Sequence, residues 1–277
     1  MKDKGITAMY WLSALMIMGI LFGIIGYIVV KGIGAITPDF IFQAPAAGGK
    51  SGGIGTTIIS TLYITLGSLI VAVPIGIGTA IYLEEYSRRQ STFAYLVNVT
   101  AETLAGIPSI VYGLFGFVFF VMFLGLGWSL LSGSLTLAIM ILPTITRTAQ
   151  EAIIAVPDEY RENSLALGAS RWQTISRIVV PSAVPGILTG IILSIGRTVG
   201  ETAALVLTAG SSLGLPTSLS DPARTMSVHL YILAMEGISI QRAFGTAFVI
   251  IVFILIINYL ANWSLNSLSK ANRWEKG

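Results

Sequence analysis

Six long apolar stretches dominate this sequence and restrict the kinds of structure that it can form. They lie near residues 9–30, 55–83, 95–125, 131–150, 183–208 and 243–265. A helix of about 20 residues spans the ~30 Å hydrocarbon core of a membrane, whereas a barrel strand shows only about 10 residues of alternating polarity. The mean hydropathy of +0.83 and the 10% of charged residues exclude an ordinary soluble domain. We therefore predict an all-α integral membrane protein in which residues 1–277 form one domain of six transmembrane helices.

The lysines and arginines are distributed unevenly between the loops that join these stretches. With the N-terminus in the cytoplasm, eleven of the 16 lie on the cytoplasmic side: Lys2, Lys4, Arg88, Arg89, Arg147, Arg161, Arg171, Arg177, Lys270, Arg273 and Lys276. Arg197 lies within a stretch, and the remaining four lie outside: Lys31, Lys50, Arg224 and Arg242. Because cytoplasmic loops carry an excess of basic residues, this distribution predicts a multi-pass protein with both termini in the cytoplasm.

The first apolar stretch has one alternative interpretation. Lys2 and Lys4 before an apolar run are also typical of a secretory signal peptide. The apolar core from Ala8 to Val30 exceeds the about 7–15 residues of a signal peptide. We therefore predict a retained membrane helix, with cleavage as the alternative.

Glycines spaced four apart recur within the stretches, at Gly186 and Gly190 and again at Gly196 and Gly200. Such pairs allow two helix backbones to approach closely. We predict packing within the chain for them, with a contact between subunits as the alternative.

Several functions are not supported by the residues present. The basic residues are dispersed, with no basic and aromatic face that would indicate a nucleic-acid partner. The chain has no cysteine, which excludes disulfides and thiolate chemistry. The GGKS sequence at residues 48–51 lacks the earlier glycine of a phosphate-binding loop, because that position is Ala44. His229 has no partner at metal-ligand spacing and is expected to be solvated.

The polar interval at residues 151–182 is predicted to be a cytoplasmic loop of two short helices. Asp158 is typical of the start of a helix, and good helix formers continue from it to Ala166. Gly168 follows as the kind of residue that commonly ends a helix, and an amphipathic segment then continues to Val180. The loop is therefore expected to form a helix, a turn and a second helix between two spans.

Four residues of this loop have a characteristic spacing: Glu162, Gly168, Ile178 and Pro181. It resembles the EAA loop of permease subunits of ATP-binding-cassette importers, with Asn and Ser in place of two alanines and Val in place of a leucine. In that family the loop forms the coupling helix that sits in a groove of the cytoplasmic ATPase subunit. The resemblance implies that the coupling residues are Glu162, Ala166, Gly168, Ile178 and Pro181. The alternative is an ordinary amphipathic loop that lies on lipid headgroups.

A more specific resemblance within this family comes from two further stretches. They are AETLAGIPSIVYGLFGFVFF at residues 101–120 and GRTVGETAAL at residues 196–205. They resemble signatures of the membrane subunits of the high-affinity phosphate importer, and the whole chain is similar to its A-type permease. The resemblance implies a phosphate permease of the bacterial cytoplasmic membrane, surrounded by lipid, with no catalytic residue, metal or cofactor of its own. It also implies three kinds of partner: a second homologous permease, two cytoplasmic ATPase subunits that bind ATP and Mg, and an extracytoplasmic phosphate-binding protein.

Arg197 and Glu201 are charged residues inside an apolar stretch. A charge at the centre of a membrane costs at least about 2.5–3.5 kcal/mol and normally faces a protein interior or a water-filled cavity. Four residues apart on one helix, the two side chains are expected to pair directly. With Thr198 and Thr202 beside them, they are predicted to line the substrate path, where the guanidinium binds a phosphate oxyanion through two donors.

Arg147, near the inner end of the fourth stretch, is the second predicted path residue. The family resemblance implies the same two arginines. For both, the alternative is an ion pair that fixes the packing of two subunits.

Three alternative functions remain open at the level of the sequence. The first is a permease for another oxyanion, such as sulfate or molybdate. The second is a secondary transporter or anion channel that works alone, with Arg197 as its selectivity charge. The third is a signalling or assembly subunit of the membrane.

Overall fold

The protein is almost entirely helical in the computed structural model, which describes residues 2–87 and 91–274. Its α-helices and strands within those ranges are α1 (Lys2–Gly32), α2 (Pro38–Phe42), β1 (Pro45–Ala46), β2 (Ser51–Gly52), α3 (Gly55–Ile81), α4 (Thr92–Ala105), α5 (Ser109–Gly116), α6 (Leu130–Ile154), α7 (Asp158–Ala166), α8 (Arg171–Thr174), α9 (Val180–Gly200), α10 (Ala203–Thr208), α11 (Met226–Met235) and α12 (Ile240–Trp274). Short 3-10 helices lie at Ile33–Ala35 and Ala47–Gly49, and π turns at Tyr82–Tyr86, Phe117–Phe123 and Ile175–Val179. Strands β1 and β2 pair in antiparallel fashion. Arg88, Arg89 and Lys276, which contribute to the predicted charge distribution, lie outside the described residues.

Long apolar helices confirm the predicted fold class, an all-α membrane protein. Within the described ranges, the helices long and apolar enough to cross a membrane are Ile6–Ala35, Gly55–Tyr86, Leu130–Ile154, Arg171–Gly200 and Ile240–Leu260. The pair α4 and α5 provides a sixth candidate span, but its two helices meet at an angle of 105°.

The third predicted span, residues 95–125, is therefore interrupted rather than one straight helix. The three residues between α4 and α5 end with Pro108. Proline lacks a backbone donor and disfavours a helical backbone in the residue before it. The hydroxyl of Tyr112 donates to the carbonyl of Leu104 at 2.7 Å, so this carbonyl near the end of α4 keeps a hydrogen-bond partner across the bend.

Helix α6 is the most deeply buried of the single spanning helices, and α3 and α9 pack along it. In its apolar window 67% of residues are buried, compared with 0% in that of α1. Lipid tails are as apolar as leucine, so burial of apolar surface does not drive helix association in a membrane, whereas close packing does. Gly67 and Gly76 of α3 allow this close packing. A Cβ added to Gly67 would lie 2.6 Å from the Ser134 hydroxyl, and one added to Gly76 would lie 2.8 Å from the Ile145 side chain.

The two predicted glycine pairs of α9 have different surroundings. In the first pair, a Cβ added to Gly190 would lie 1.8 Å from Oγ1 of Thr148 on α6. In the second pair, a Cβ added to Gly196 or Gly200 would meet no neighbouring atom of the described chain within 4 Å. The first pair therefore packs within the chain, as predicted, whereas the second leaves a small-residue surface uncovered.

Replacing Gly190 by valine is expected to destabilise the chain, and the same change at Gly196 provides the matched control. Overpacking a tight contact costs about 1–3 kcal/mol, and the contact of Gly190 with α6 leaves no room for a side chain. Gly196→Val introduces the same side chain on the same helix without that contact. The measurement is thermal unfolding of the purified chain in detergent. Equal losses in the two variants would contradict the packing described here.

The end of the bundle opposite α7 is covered by the β1–β2 hairpin and α11, and His229 lies beneath this cover. His229 is 1% exposed, so the expectation that it is solvated is wrong. A Cβ added to Gly49 of the hairpin would lie 3.0 Å from the His229 ring, which explains the burial. Burial lowers the pKa of His229 to about 4, and the charges of Arg224 and Arg242 lower it in the same direction.

Because of His229, the free energy of unfolding is expected to decrease as the pH is lowered below 6.5, the ordinary pKa of histidine. Its pKa is 6.5 in the unfolded chain and about 4 in the folded chain, so the unfolded state takes up the proton first. The folded state loses at most about 1.4 kcal/mol per pH unit between these two values and nothing above them. The measurement is the unfolding temperature of wild type and His229→Gln between pH 7.5 and pH 4.5. An identical slope in both proteins would contradict the assignment.

Candidate functional site

Helices α7 and α8 form the predicted helix-turn-helix, which we call the elbow (residues 157–174). The backbone of Gly168 has a φ of +83°, the left-handed conformation that favours glycine. Its N–H donates to the carbonyl of Leu165 at 3.0 Å, and the N–H of Ala169 donates to that of Ser164 at 3.2 Å. These two bonds form a Schellman motif, which satisfies carbonyls at the end of α7 and turns the chain sharply.

The second arm of the elbow is continuous with the next membrane span. Ser170 and Gln173 form a capping box, in which each side chain accepts a hydrogen bond from the other residue's backbone N–H. From there one helix runs from Arg171 to Gly200, through a π turn at Ile175–Val179. The elbow is therefore attached directly to the helix that carries Arg197.

The predicted coupling residues lie on the outer side of the elbow and at the base of its second arm. The exposed ones are Glu162, Ala166, Gly168 and Pro181, whereas Ile178 is half-buried. Leu165 and Leu167 were not selected from the sequence, yet they are exposed by 50% and 90%. Two leucines just before a helix-ending glycine, without apolar neighbours to cover them, are the signal that could have identified this surface. The elbow tip is therefore apolar and uncovered by the described chain.

Arg197 and Glu201 do not form the predicted ion pair. Helix α9 ends at Gly200, and Glu201 has an extended backbone with φ −73° and ψ 128°. Its carboxylate oxygen Oε1 instead accepts a hydrogen bond from the N–H of Ala204 at 3.1 Å, near the start of α10. The hydroxyl of Ser227 also donates to the carbonyl of Glu201 at 2.6 Å. The pairing rule for residues four apart fails because the helix does not continue through both residues.

The helix break separates the members of the predicted polar stripe. Thr198 is buried, and its hydroxyl lies 2.9 Å from the carbonyl of Ile195 and 3.5 Å from the hydroxyl of Thr65 on α3. Thr202 is half-buried next to the first residue of α10. Arg197 is half-buried and has no carboxylate within ion-pair distance in the part of the chain that the structure describes. The stripe therefore presents one unpaired cation, Arg197, on a helix face that the described chain leaves partly open.

Arg147 lies at a cavity of about 380 Å³ between α4 and α6. Its guanidinium Nε lies 3.1 Å from Oε1 of Glu151, and both side chains are about two-thirds exposed, at 66% and 64%. Such an exposed pair contributes little stability, about 0–1 kcal/mol, and leaves the arginine free to exchange partners. The cavity wall also includes Glu102 and Thr144.

The structure does not bring the two predicted path arginines together. Gly190 of α9 lies against Thr148 of α6, so Arg147 is near the level of Gly190. Arg197 follows seven residues later on the same helix, about 10 Å farther along the bundle at 1.5 Å per residue. Among the residues that are described, no three histidine, aspartate or glutamate side chains are grouped as a metal site. The arginines therefore mark two depths of the bundle.

Comparisons of the sequence with known proteins identify the family to which the chain is similar. Residues 72–274 match the family model described as "Binding-protein-dependent transport system inner membrane component". The chain is 34% identical to the probable ABC transporter permease protein YqgI of Bacillus subtilis, over 94% of each chain. It is 33% identical to the phosphate transport system permease protein PstA of Haemophilus influenzae, over 83% of this chain and 82% of that protein. A second PstA, PstA 1 of Mycobacterium tuberculosis H37Rv, is 36% identical over 76% of this chain and 69% of its own length.

Solved structures with the same fold include two transporter chains. One comes from a bacterial alginate ABC transporter in complex with an alginate-bound periplasmic protein, with a TM-score of 0.67 and 18% identity over 94% of this chain and 93% of that one. Another comes from the MetNI methionine ABC transporter in an inward-facing conformation, with a TM-score of 0.60 and 16% identity over 78% and 94%. At these identities the likeness concerns the fold alone.

The elbow turn is expected to tolerate asparagine but not valine at Gly168. A residue with a Cβ in the left-handed conformation costs about 1–2 kcal/mol, and asparagine adopts it more readily than a β-branched residue. The position itself is open, with no atom within 4 Å of an added Cβ, so a steric clash does not contribute. The measurement is limited proteolysis of the elbow in detergent. Equal protection in Gly168→Val and Gly168→Asn would contradict this account.

Proposed function

This chain belongs to the family of binding-protein-dependent transport system inner membrane components, and we propose that its substrate is inorganic phosphate. It is a permease subunit of an ATP-binding-cassette importer and not an enzyme. The relatives called PstA support phosphate, and the unpaired Arg197 in a spanning helix is the structural observation that carries the proposal. Relatives such as YqgI have only general permease names, so sulfate and molybdate are the competing substrates.

Arg197 suits an anion in transit because of its charge and its surroundings. A guanidinium inside a spanning helix is costly unless a counter-charge or water reaches it. The nearest acidic residue in sequence, Glu201, is committed to the backbone N–H of Ala204. The five N–H donors of Arg197 are thus available to a phosphate, which binds guanidinium through two oxygens at once. Glu201 and Thr202 hold the break between α9 and α10 beside it, and Thr198 anchors the helix to α3.

Arg147 is proposed as a second station for the anion, nearer the elbow. Its exposed ion pair with Glu151 is weak enough for an incoming anion to replace the carboxylate. Transport between the two arginines requires that the spans change the side to which they open. Phosphate shifts that equilibrium only through its different affinity for the two states.

The proposed assembly contains this chain, a second homologous permease, two ATPase subunits that bind ATP and Mg, and an extracytoplasmic phosphate-binding protein. The second permease would cover the open face at Gly196 and Gly200, so that Arg197 lies between the two subunits. The apolar elbow tip, with Leu165 and Leu167, fits an ATPase groove on the cytoplasmic side. Glu162, Ala166, Gly168, Ile178 and Pro181 keep their proposed coupling roles, and both termini are proposed to be cytoplasmic.

Replacing Arg197 by glutamine is expected to abolish phosphate uptake while the complex still assembles, because the amide has no charge to attract the oxyanion. Arg197→Lys keeps the charge but loses the two-donor fork, so we expect partial uptake. Ser13→Ala at an exposed position of α1, outside the proposed path and away from the face of Gly196 and Gly200, is the control and should transport like wild type. The measurement is uptake of radiolabelled phosphate and sulfate at low concentration by cells that carry each variant as the only copy.

The controls separate the proposal from its alternatives. Uptake that continues when the ATPase site is disabled would support a channel or secondary transporter instead. Loss of sulfate uptake with normal phosphate uptake would contradict phosphate as the substrate but would leave the assignment as a permease intact. Full phosphate uptake by Arg197→Gln, or loss of the complex in that variant, would contradict the path role of the arginine.

A further inference from the structure

A buried ion pair joins the elbow to the end of α3. Glu85 lies in a π turn, Tyr82–Tyr86, that follows α3 directly, and Arg161 lies on the first turns of α7. The side chains of Glu85 and Arg161 are only 9% and 19% exposed. Nε and Nη2 of Arg161 both donate to the Glu85 oxygen Oε1, at 3.0 and 2.8 Å. The pair connects residues 76 positions apart, so it fixes tertiary rather than local structure.

The same guanidinium also holds the end of α6. Its Nη2 donates to the carbonyl of Ile153 at 3.0 Å, and its Nη1 donates to the carbonyl of Val156 at 2.8 Å. The last carbonyls of a helix have no partner within the helix and carry partial negative charge, so a cation is favoured there. Arg161 therefore ties three elements together: α7, the end of α6 and the turn after α3.

The second arm of the elbow contacts the same turn. Nη2 of Arg171, on α8, donates to the backbone carbonyl of Glu85. Its guanidinium also lies over the ring of Tyr86, 5.3 Å from the ring centre, in a cation–π arrangement. Both arms of the elbow thus hold one turn, and we call Glu85, Arg161 and Arg171 the elbow brace.

Contacts continue from this turn to the cavity of Arg147. Nε2 of Gln150 on α6 donates to Glu84 at 2.8 Å and to Asn98 on α4 at 3.0 Å. Asn98 lines the cavity between α4 and α6 at which Arg147 lies. Hydrogen bonds on Glu85 and on its chain neighbour Glu84 therefore connect the elbow, through Gln150 and Asn98, to one side of the proposed path.

We propose that Glu85 is a positioning residue that makes the elbow and the spans α3 and α6 move as one body, so that ATP-driven movement of the elbow opens and closes the path. Stability alone does not require an ion pair here, because apolar side chains of similar size stabilise a buried site at least as well. An ion pair whose hydrogen-bond donors have fixed positions sets the relative orientation of the two elements that it joins, and not only their contact. The inference depends on the proposed function in one respect, namely that an ATPase moves the elbow.

The first test compares transport with ATP hydrolysis in the complete importer, purified and reconstituted in liposomes. Glu85→Gln keeps the size and one acceptor oxygen but removes the charge. We expect it to assemble and to retain at least about half of its ATP hydrolysis, while phosphate imported per ATP falls at least fivefold. Glu85→Asp, which keeps the charge, should recover part of that ratio. Asp158→Asn is the matched control, since Asp158 is the 83% exposed second partner of Arg161 and its loss should not change the ratio.

A second test does not depend on the substrate. The sequence contains no cysteine, so spin labels can be placed at Glu159→Cys on α7 and Ile70→Cys on α3, both exposed positions. In the complex with the wild-type brace, the distance between the labels should stay within one narrow distribution with and without ATP. In Glu85→Gln the distribution should broaden when ATP binds.

The outcomes separate the inference from the proposed function. An unchanged ratio and a narrow distance distribution in Glu85→Gln would overturn the inference, as would parallel loss of transport and hydrolysis in an unstable complex. A wild-type complex that hydrolyses ATP but imports no phosphate would overturn the proposed substrate. In that case the distance measurement alone decides the role of Glu85.

Discussion

The close packing of α6 between α3 and α9 is the contact on which the other parts of the structure depend. Helices in lipid gain little from burying apolar surface, so their association requires backbones that approach closely. Gly67 and Gly76 on α3 and Gly190 on α9 provide that approach to α6. Arg147, the elbow and the end of α9 all take their positions from these three helices. The two arginines of the proposed path are therefore placed by helix contacts that carry no charge, whereas the elbow is additionally held by the Glu85–Arg161 pair.

Helix breaks change the direction of the chain at three places. At each of them, hydrogen bonds are made to backbone groups that the break leaves without a partner in the helix. A membrane interior supplies no water for unpaired donors and acceptors. At the bend near Pro108, the Tyr112 hydroxyl binds a carbonyl of α4, and at the end of α9 the Glu201 carboxylate binds an N–H of α10. At the elbow the turn at Gly168 satisfies the last carbonyls of α7 through backbone donors alone. Within the spans this requirement is thus met by a phenol and a carboxylate, whereas the exposed turn at Gly168 uses backbone donors.

The burial and pairing of titratable and charged side chains differ at three levels of the bundle. At the level of α11, His229 is kept neutral at ordinary pH by burial and by neighbouring arginines. Within the span, Arg197 lacks an acidic partner among the described residues, which favours a role toward an anion. At the elbow, Arg161 is fully engaged by Glu85 and by backbone carbonyls. Neutral, unpaired and paired charges therefore correspond to structural, transport and coupling roles in the proposed mechanism.

The sequence by itself determined the membrane fold class and the elbow, because both depend on local properties. The length of an apolar run decides whether a helix can span lipid, and the turn at Gly168 depends on the backbone freedom of one residue. Only the tertiary structure decided that Arg197 and Glu201 do not pair and that His229 is buried. The rule for residues four apart assumes a helix that continues, and α9 ends at Gly200. The Glu85–Arg161 pair joins residues 76 positions apart, and no local pattern predicts which distant side chains packing will bring together.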